Sequence, residues 1–143
     1  MKENAAMPWE HFPHDADMGV RGMGRTKNEA FEEAAKALVA LTTDIEQVSP
    51  KEKVDVSLSA PDDEQLLVEW LDALVFEIAT RRWVFSRFDV EIEGGKLEGA
   101  LWGEPFDESR HTTGVEVKGP TFTELHVGVG DDGLWVAQLI VDV

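Results

Sequence analysis

Two amphipathic helix patterns, set among alternating strand patterns, limit the folds open to this chain. Apolar side chains recur at spacings of three and four in residues 26–42, namely at Ala30, Phe31, Ala34, Ala35, Leu38 and Leu41. The same spacing recurs in residues 63–81, namely at Leu67, Trp70, Leu71, Leu74, Val75 and Ile78. This is the period of a helix that buries one face. We therefore expect two helices there, with Trp70 in the core.

Local signals mark the ends of both helices. Thr26 followed three residues later by Glu29 is a capping box, in which the two side chains satisfy free main-chain N–H groups at a helix start. Asp62 or Asp63 can cap the second helix by the same chemistry. The Arg-Arg pair that ends this helix complements its dipole.

The rest of the chain alternates as β-strands do. Strand patterns occur at "WEHF" and "MGVRGMG" before the first helix and at "VDVSLSA" between the helices. After the second helix follow "WVFSRFDVEIE", "KLEGALWGE", "GVEVKG", "TFTELHVGV" and "LWVAQLIVDV". Gly94-Gly95, between the first two of these, predicts a tight hairpin. The order predicts one α+β domain over residues 9–143, with two helices packed on a mainly antiparallel sheet.

Charge and composition exclude several classes of function. The chain of 143 residues has 29 acidic and 13 basic side chains, a formal charge of −16, and no cysteine. Disulfides, thiolate metal sites and cysteine nucleophiles are therefore excluded. The acidity argues against tight direct binding of RNA or DNA, which requires basic surface. With no apolar run that could span a membrane and no signal peptide, we expect a cytoplasmic protein with a flexible tail over residues 1–8.

Carboxylates occur near both ends of the chain. The segment "HFPHDAD" brings together His11, His14, Asp15 and Asp17, and Asp142 is the next-to-last residue. A His-x-x-His zinc site is disfavoured, because residues three apart on a strand point to opposite faces. The aspartates are either hard oxygen ligands suited to Ca²⁺ or Mg²⁺, or ordinary turn-forming and solvated residues.

Other polar residues have either a functional role or a purely structural one. No serine lies in a nucleophile elbow, and the glycines of "GVRGMG" lack the lysine of a phosphate-binding loop. In "LWGEPFDESRH", Glu104 and Asp107 are candidates for a functional role. An ordered turn after a strand is the favoured interpretation of both.

Together, these segments resemble the archease family. The resemblance lies in "HDADMGVRGMGRTKNEAFEEAAKALVALTTD", "LLVEWLDALVFE", "FSRFDVEIEGGKLEGALWGEPFD" and "WVAQLIVDV", and it extends from Trp9 to Val143. It implies a small acidic protein that is not itself an enzyme and that assists RtcB-type RNA ligases. Those ligases join RNA ends in tRNA splicing and RNA repair. The assistance consists of promoting guanylylation of the ligase's active-site histidine and supporting multiple turnover.

The resemblance also implies a metal site. Its ligands would be Asp17, Asp142 and the last residue, Val143, so that the two ends of the chain meet at one divalent cation. Ca²⁺ is the expected ion, with Mg²⁺ or Mn²⁺ as alternatives. His14 and Asp15 would lie beside these ligands and could orient Asp17.

Two segments depart from the family pattern. Asp15 stands where the family usually has a small residue or threonine, which adds a carboxylate near the site. The segment "KGPTFTELH" stands where the family commonly reads "KA-x-T-Y-H", with Phe122 in place of tyrosine and Thr123 in place of histidine. Any role of that tyrosine or histidine therefore does not carry over.

Two other functions stay open on the residues alone. One is a chaperone or modulator of RNA-modifying enzymes such as tRNA methyltransferases, which would need an exposed apolar patch. The other is a metal-dependent hydrolase that uses His14, Asp15 and Asp17. It would need a pocket and an open position on the metal.

Overall fold

Two antiparallel sheets enclose two helices in the computed structural model, which describes residues 8–143. The N-terminal half contains β1 (Trp9–His14), β2 (Asp17–Gly24), α1 (Lys27–Thr42), a 3₁₀ turn (Ile45–Gln47), β3 (Glu52–Ser59) and α2 (Asp63–Arg81). The C-terminal half contains β4 (Trp83–Glu93), β5 (Lys96–Pro105), β6 (Gly119–Pro120), β7 (His126–Val129) and β8 (Trp135–Asp142). The predicted α+β class and both predicted helices are confirmed.

The strands divide into a five-stranded and a three-stranded sheet. The larger sheet has the order β1-β2-β8-β6, with β7 also paired to β8, and the smaller has the order β3-β5-β4. Gly94 and Gly95 join β4 to β5 with positive φ angles of 58° and 79°. These angles are those of a tight hairpin turn that favours glycine, so the predicted hairpin is confirmed.

The helices are held together between the sheets by close packing. α1 lies against β2 so closely that a Cβ atom added to Gly22 would come within 2.2 Å of the Ala30 carbonyl oxygen. Trp70 of α2 is fully buried, as predicted. Its indole Nε1–H donates to the Phe31 carbonyl of α1 at 3.0 Å, which joins the two helices inside the core.

The predicted caps set where the helices begin. The Thr26 hydroxyl accepts from the Glu29 N–H at 3.1 Å, and the Asp62 carboxylate accepts from the Gln65 N–H at 2.8 Å. From its cap, α1 runs back along β2, so its C-terminal end lies at the end of the sheet where β2 begins. α2 runs alongside α1 and ends at the same end of the molecule.

The strands predicted at "GVEVKG" and "TFTELHVGV" are largely wrong. Only Gly119–Pro120 and His126–Val129 form strands in these segments. The N–H groups of Gly114 and Val115 bond instead to the last carbonyls of α1, at 2.8 and 2.9 Å, which a helix end leaves without partners. Glu124, with a φ of +56°, interrupts the second segment.

The sequence predicts that no segment crosses a membrane and that residues 1–8 form a flexible tail. None of the helices in residues 8–143 is long and apolar enough to cross a membrane. The flexible tail expected over residues 1–8 lies outside the described residues, except for Pro8.

Candidate functional site

Asp17 and Asp142 lie at the same end of the larger sheet. β2 begins at Asp17, β8 ends at Asp142, and the two strands pair antiparallel with Met18 opposite Val141. Continued by one residue, this register sets Asp17 opposite Asp142. Directly opposed side chains project from the same face, with Cβ atoms about 5 Å apart. We call Asp17, Asp142 and Val143 the carboxylate tip.

The last residue of the chain lies against the first residue of β2. The Val143 N–H donates to Asp17 Oδ1 at 3.4 Å, and the Val143 side chain packs against the core. On the other side of β8, the Lys118 N–H donates to the Asp142 carbonyl at 2.8 Å. The chain terminus is therefore held beside Asp17 by main-chain bonds and packing.

The carboxylate tip offers oxygen donors only. Like charges that face each other on neighbouring strands repel, and a cation would offset that repulsion. Within residues 8–143 no three His, Asp or Glu side chains gather at metal-holding spacing. An ion here would therefore use the terminal carboxylate, main-chain carbonyls or water besides the two aspartates. Such a donor set fits a hard cation such as Ca²⁺, and the ligand set stays a prediction.

The residues beside the tip are arranged by the hairpin between β1 and β2. His14 pairs with Asp17 across this hairpin. Asp15 lies in the turn itself with a φ of +50°, a left-handed conformation that aspartate tolerates. Its side chain is 94% exposed and comes within 4.0 Å of His14 Nδ1. Asp15 therefore lies in the turn, whereas Asp17 is the first residue of β2.

His11 does not belong to the tip. Its ring lies 5.3 Å from that of Trp9, and its Nε2–H donates to the Ala37 carbonyl of α1 at 2.7 Å. The imidazole therefore joins β1 to α1. This is a structural role and not that of half a zinc site.

Glu104 forms a separate buried cluster at the end of β5. The residue is 3% exposed. It accepts from Arg110 Nη2 at 2.6 Å, from His111 Nε2 at 2.9 Å and from the Ser49 N–H at 2.8 Å. The Arg110 hydrogen bonds lower the pKa of Glu104 to about 2, against the opposing effect of burial. We call Glu104, Ser49, Arg110 and His111 the Glu104 cluster.

The loop after Glu104 is ordered, as the favoured interpretation of this segment predicted. Asp107 Oδ1 accepts from the N–H and the hydroxyl of Ser109, at 3.0 and 2.8 Å. These bonds lower the pKa of Asp107. No local signal pointed to Arg110, His111 and Ser49 as partners of Glu104. The "SRH" segment follows the strand by only a few residues, but Ser49 is 55 residues away in the chain.

An apolar groove of about 600 Å³ opens where the two helices end. It lies between the last turns of the helices and the segment 113–117. Its apolar lining comes from Leu38 of α1, Val75 and Ile78 of α2, and Phe106, Val115 and Val117. We call it the helix-end groove.

Fold and site together define a small α+β protein with an oxygen-donor tip, and comparison with known proteins identifies its family. The model of the Archease protein family matches residues 9–143. Protein archease of Methanopyrus kandleri is 38% identical over 141 residues, which cover 96% of this chain and 100% of that protein. Protein archease of Pyrococcus furiosus is 37% identical over 139 residues, 94% of this chain and 98% of that protein. The chain belongs to the archease family.

Solved structures share this fold. The solution structure of Methanobacterium thermoautotrophicum protein 1598 superimposes with a TM-score of 0.83 at 34% identity, covering 95% of this chain and 99% of that one. A crystal structure of a Thermotoga maritima archease, described as a possible chaperone, gives a TM-score of 0.64 at 18% identity. It covers 99% of this chain and 100% of that one, and shows that the two-sheet architecture is retained at low identity.

Proposed function

We propose that this chain is a non-catalytic activator of an RtcB-type RNA ligase, which promotes guanylylation and multiple turnover of the ligase in tRNA splicing and RNA repair. The observation that carries the proposal is that the last residue lies beside the first residue of β2, with the Val143 nitrogen 3.4 Å from Asp17 Oδ1. Membership of the archease family supports it, because the resemblance of the sequence to that family implies this partner.

The carboxylate tip would hold a divalent cation in this role. The carboxylates of Asp17, Asp142 and the chain terminus would bind it, and His14 would orient Asp17 across the hairpin. Ca²⁺ is preferred over Mg²⁺ or Mn²⁺, because it accepts irregular oxygen coordination that includes water. When bound, the cation supplies concentrated positive charge at an otherwise acidic end of the protein.

The charge of the chain supports a protein partner over direct contact with RNA. A formal charge of −16 repels phosphates but attracts a basic protein surface. The ligase surface that receives this protein would therefore be rich in lysine and arginine. Association should weaken as salt screens these charges.

A time course of ligase guanylylation, followed by multiple-turnover ligation, tests the proposal. Wild type should accelerate both, whereas Asp17→Ala, Asp142→Ala and a variant extended beyond Val143 should not. Asp131→Ala is the matched control for Asp142→Ala, because Asp131, like Asp142, is an exposed aspartate, and it lies in the turn before β8. Three tip variants that activate as well as wild type would show that the two chain ends are not one functional site.

Calorimetry with CaCl₂ tests the metal separately. Wild type should bind Ca²⁺, and Asp17→Ala and Asp142→Ala should bind at least about tenfold more weakly. Asp131→Ala should bind as wild type does. Equal affinities in all four proteins would remove the metal from the proposal but leave the role of the tip in activation to the kinetic assay.

A chaperone or modulator of RNA-modifying enzymes is the second candidate. It would need exposed apolar surface, and the helix-end groove is the observation that favours it. Suppression of aggregation of an unrelated client by wild type, lost in a groove variant and kept in Asp17→Ala, would favour this candidate over ligase activation.

A further inference from the structure

The helix-end groove has two exposed apolar side chains at its surface. Large apolar side chains that remain exposed in residues 8–143 are Phe76, Phe106, Val115, Phe122 and Val129. Phe106 and Val115 line the groove. Single exposed apolar residues are ordinary, but a contiguous patch with a polar rim is typical of a binding surface.

The rim of the groove is mostly acidic. Two of the charged side chains that line it, Glu108 and Glu116, are exposed carboxylates. Arg82 is the one arginine or lysine among the described residues that line the groove. An occupant that complements this rim carries an apolar group beside positive charge.

The groove and the carboxylate tip are linked by a short stretch of chain. The Val115 N–H bonds to the Leu41 carbonyl at the end of α1, and the Lys118 N–H bonds to the Asp142 carbonyl. Val115 and Lys118 are three residues apart, so their Cα atoms are separated by at most about 10 Å. A single partner could contact both.

We infer that the helix-end groove is a docking site for a segment of the partner ligase that has one apolar anchor side chain next to lysine or arginine. The inference rests on the proposed function, because it assigns the partner by that function. It adds a division of labour, in which the groove holds the ligase and the carboxylate tip acts on it.

The charge of the chain argues against a second copy of this protein in the groove. A second copy would bring the same formal charge of −16 and the same acidic rim. Charges of one sign brought together oppose association. A partner segment with an apolar side chain next to a basic one complements both the apolar lining and the acidic rim.

Titration of the ligase with groove variants tests the inference. Val115→Asp places a charge in the apolar lining at a side chain already 45% exposed, and Glu116→Lys reverses one rim charge. Their controls are Val129→Asp, at a side chain 56% exposed on β7, and Asp131→Lys in the turn before β8. Ligase binding is measured directly by calorimetry, activation by guanylylation at increasing protein concentration, and folding by circular dichroism.

Val115→Asp should raise both the dissociation constant and the half-maximal activating concentration roughly tenfold, as loss of an interface anchor does. Glu116→Lys should raise them less and should flatten their dependence on salt. Activation at saturating concentrations should fall much less, in contrast to the tip variants. Neither control should change the two constants.

The outcomes separate this inference from the proposed function. If wild type activates the ligase and Val115→Asp matches Val129→Asp in affinity, the docking site is wrong and the activator role stands. If wild type binds without activating, and Val115→Asp binds more weakly, the docking site stands and the activator role fails. If wild type does neither, both fail. If sedimentation shows wild-type dimers that Val115→Asp abolishes, without any change in ligase affinity, the groove holds a second copy and the inference is overturned.

Discussion

The carboxylates of the carboxylate tip and of the Glu104 cluster have opposite environments. Glu104 is buried, and an arginine, a histidine and a main-chain N–H bond to it. Asp17 accepts a single N–H at 3.4 Å and lies, by the strand register, beside a second aspartate. Removing the charge of a buried carboxylate leaves its charged partners without a counterion and destabilises the fold, whereas carboxylates that face each other on neighbouring strands repel unless a cation offsets them. Substitutions in the Glu104 cluster should therefore change stability, and substitutions in the carboxylate tip should change function.

The largest effect should follow from neutralising the tip. Asp142→Asn should lower ligase activation at least about tenfold, as loss of a metal-site interaction typically does. Without added metal, its unfolding free energy should stay within about 0.5 kcal/mol of wild type, because Asp142 is exposed. Guanylylation rates and urea denaturation measure the two quantities.

The effect of added metal on thermal stability gives a further test of the carboxylate tip. A ligand that binds only the folded state raises its stability, so CaCl₂ should raise the melting temperature of wild type more than that of Asp142→Asn. A loss of more than about 2 kcal/mol without metal would instead show that the tip is a structural element, and the contrast with Glu104 would disappear.

The next largest effect should follow from neutralising Glu104. Glu104→Gln keeps the size of the side chain but removes the negative charge that Arg110 and His111 bond to. Hydrogen bonds to charged groups contribute about 1.5–3 kcal/mol, so the unfolding free energy should fall by about 2–3 kcal/mol. Glu108→Gln is the matched control in the same loop, and at this exposed position it should change stability by less than about 0.5 kcal/mol. Equal effects of the two substitutions would contradict a stabilising role for the Glu104 cluster.

These two regions also show what sequence could and could not predict. The helices, their caps and the Gly94-Gly95 hairpin were predictable, because each depends on residues within a few positions of one another. The strand predicted over residues 114–119 was largely wrong, because the N–H groups of Gly114 and Val115 bond to the end of α1, more than 70 residues earlier in the chain. Alternation along a strand says nothing about such a competing partner.

Both candidate sites likewise depend on contacts between residues that are far apart in the sequence. Glu104 was named as a candidate functional residue with an ordered turn as the favoured interpretation, and its bond from Ser49 was not predictable because the tertiary fold brings the two together. Asp17 and Asp142 are 125 residues apart in the sequence, and only the family resemblance joined them before the register of β2 and β8 was known. Whether they bind a cation stays a prediction.

Acid should weaken the contribution of Glu104 selectively. Its pKa is about 2 in the folded protein against an ordinary value of 4.5, so the unfolded state takes up a proton first as pH falls. The contribution of Glu104 is therefore complete above about pH 4.5 and is lost progressively toward pH 2. Urea denaturation between pH 6 and pH 2.5 should show a smaller decline for Glu104→Gln than for wild type. Parallel declines would contradict this account.

The smallest effect should come from substituting Glu32 on α1. The pKa of this carboxyl group is raised, whereas that of Glu104 is lowered. Burial raises the pKa of Glu32, and the nearby charges of Asp89, Glu29 and Glu33 raise it further, although its bond from the Val90 N–H at 2.9 Å opposes them. The ionised side chain therefore opposes folding at neutral pH, and this cost disappears when the group is protonated in both states. Glu32→Gln can still accept the Val90 N–H through its amide oxygen, so it should raise the unfolding free energy at pH 7. The gain should stay below about 1 kcal/mol, because solvent screens a half-buried charge, and it should vanish near pH 4. A loss of stability at pH 7 would mean that the charge of Glu32 strengthens the Val90 bond by more than burial and its acidic neighbours oppose it.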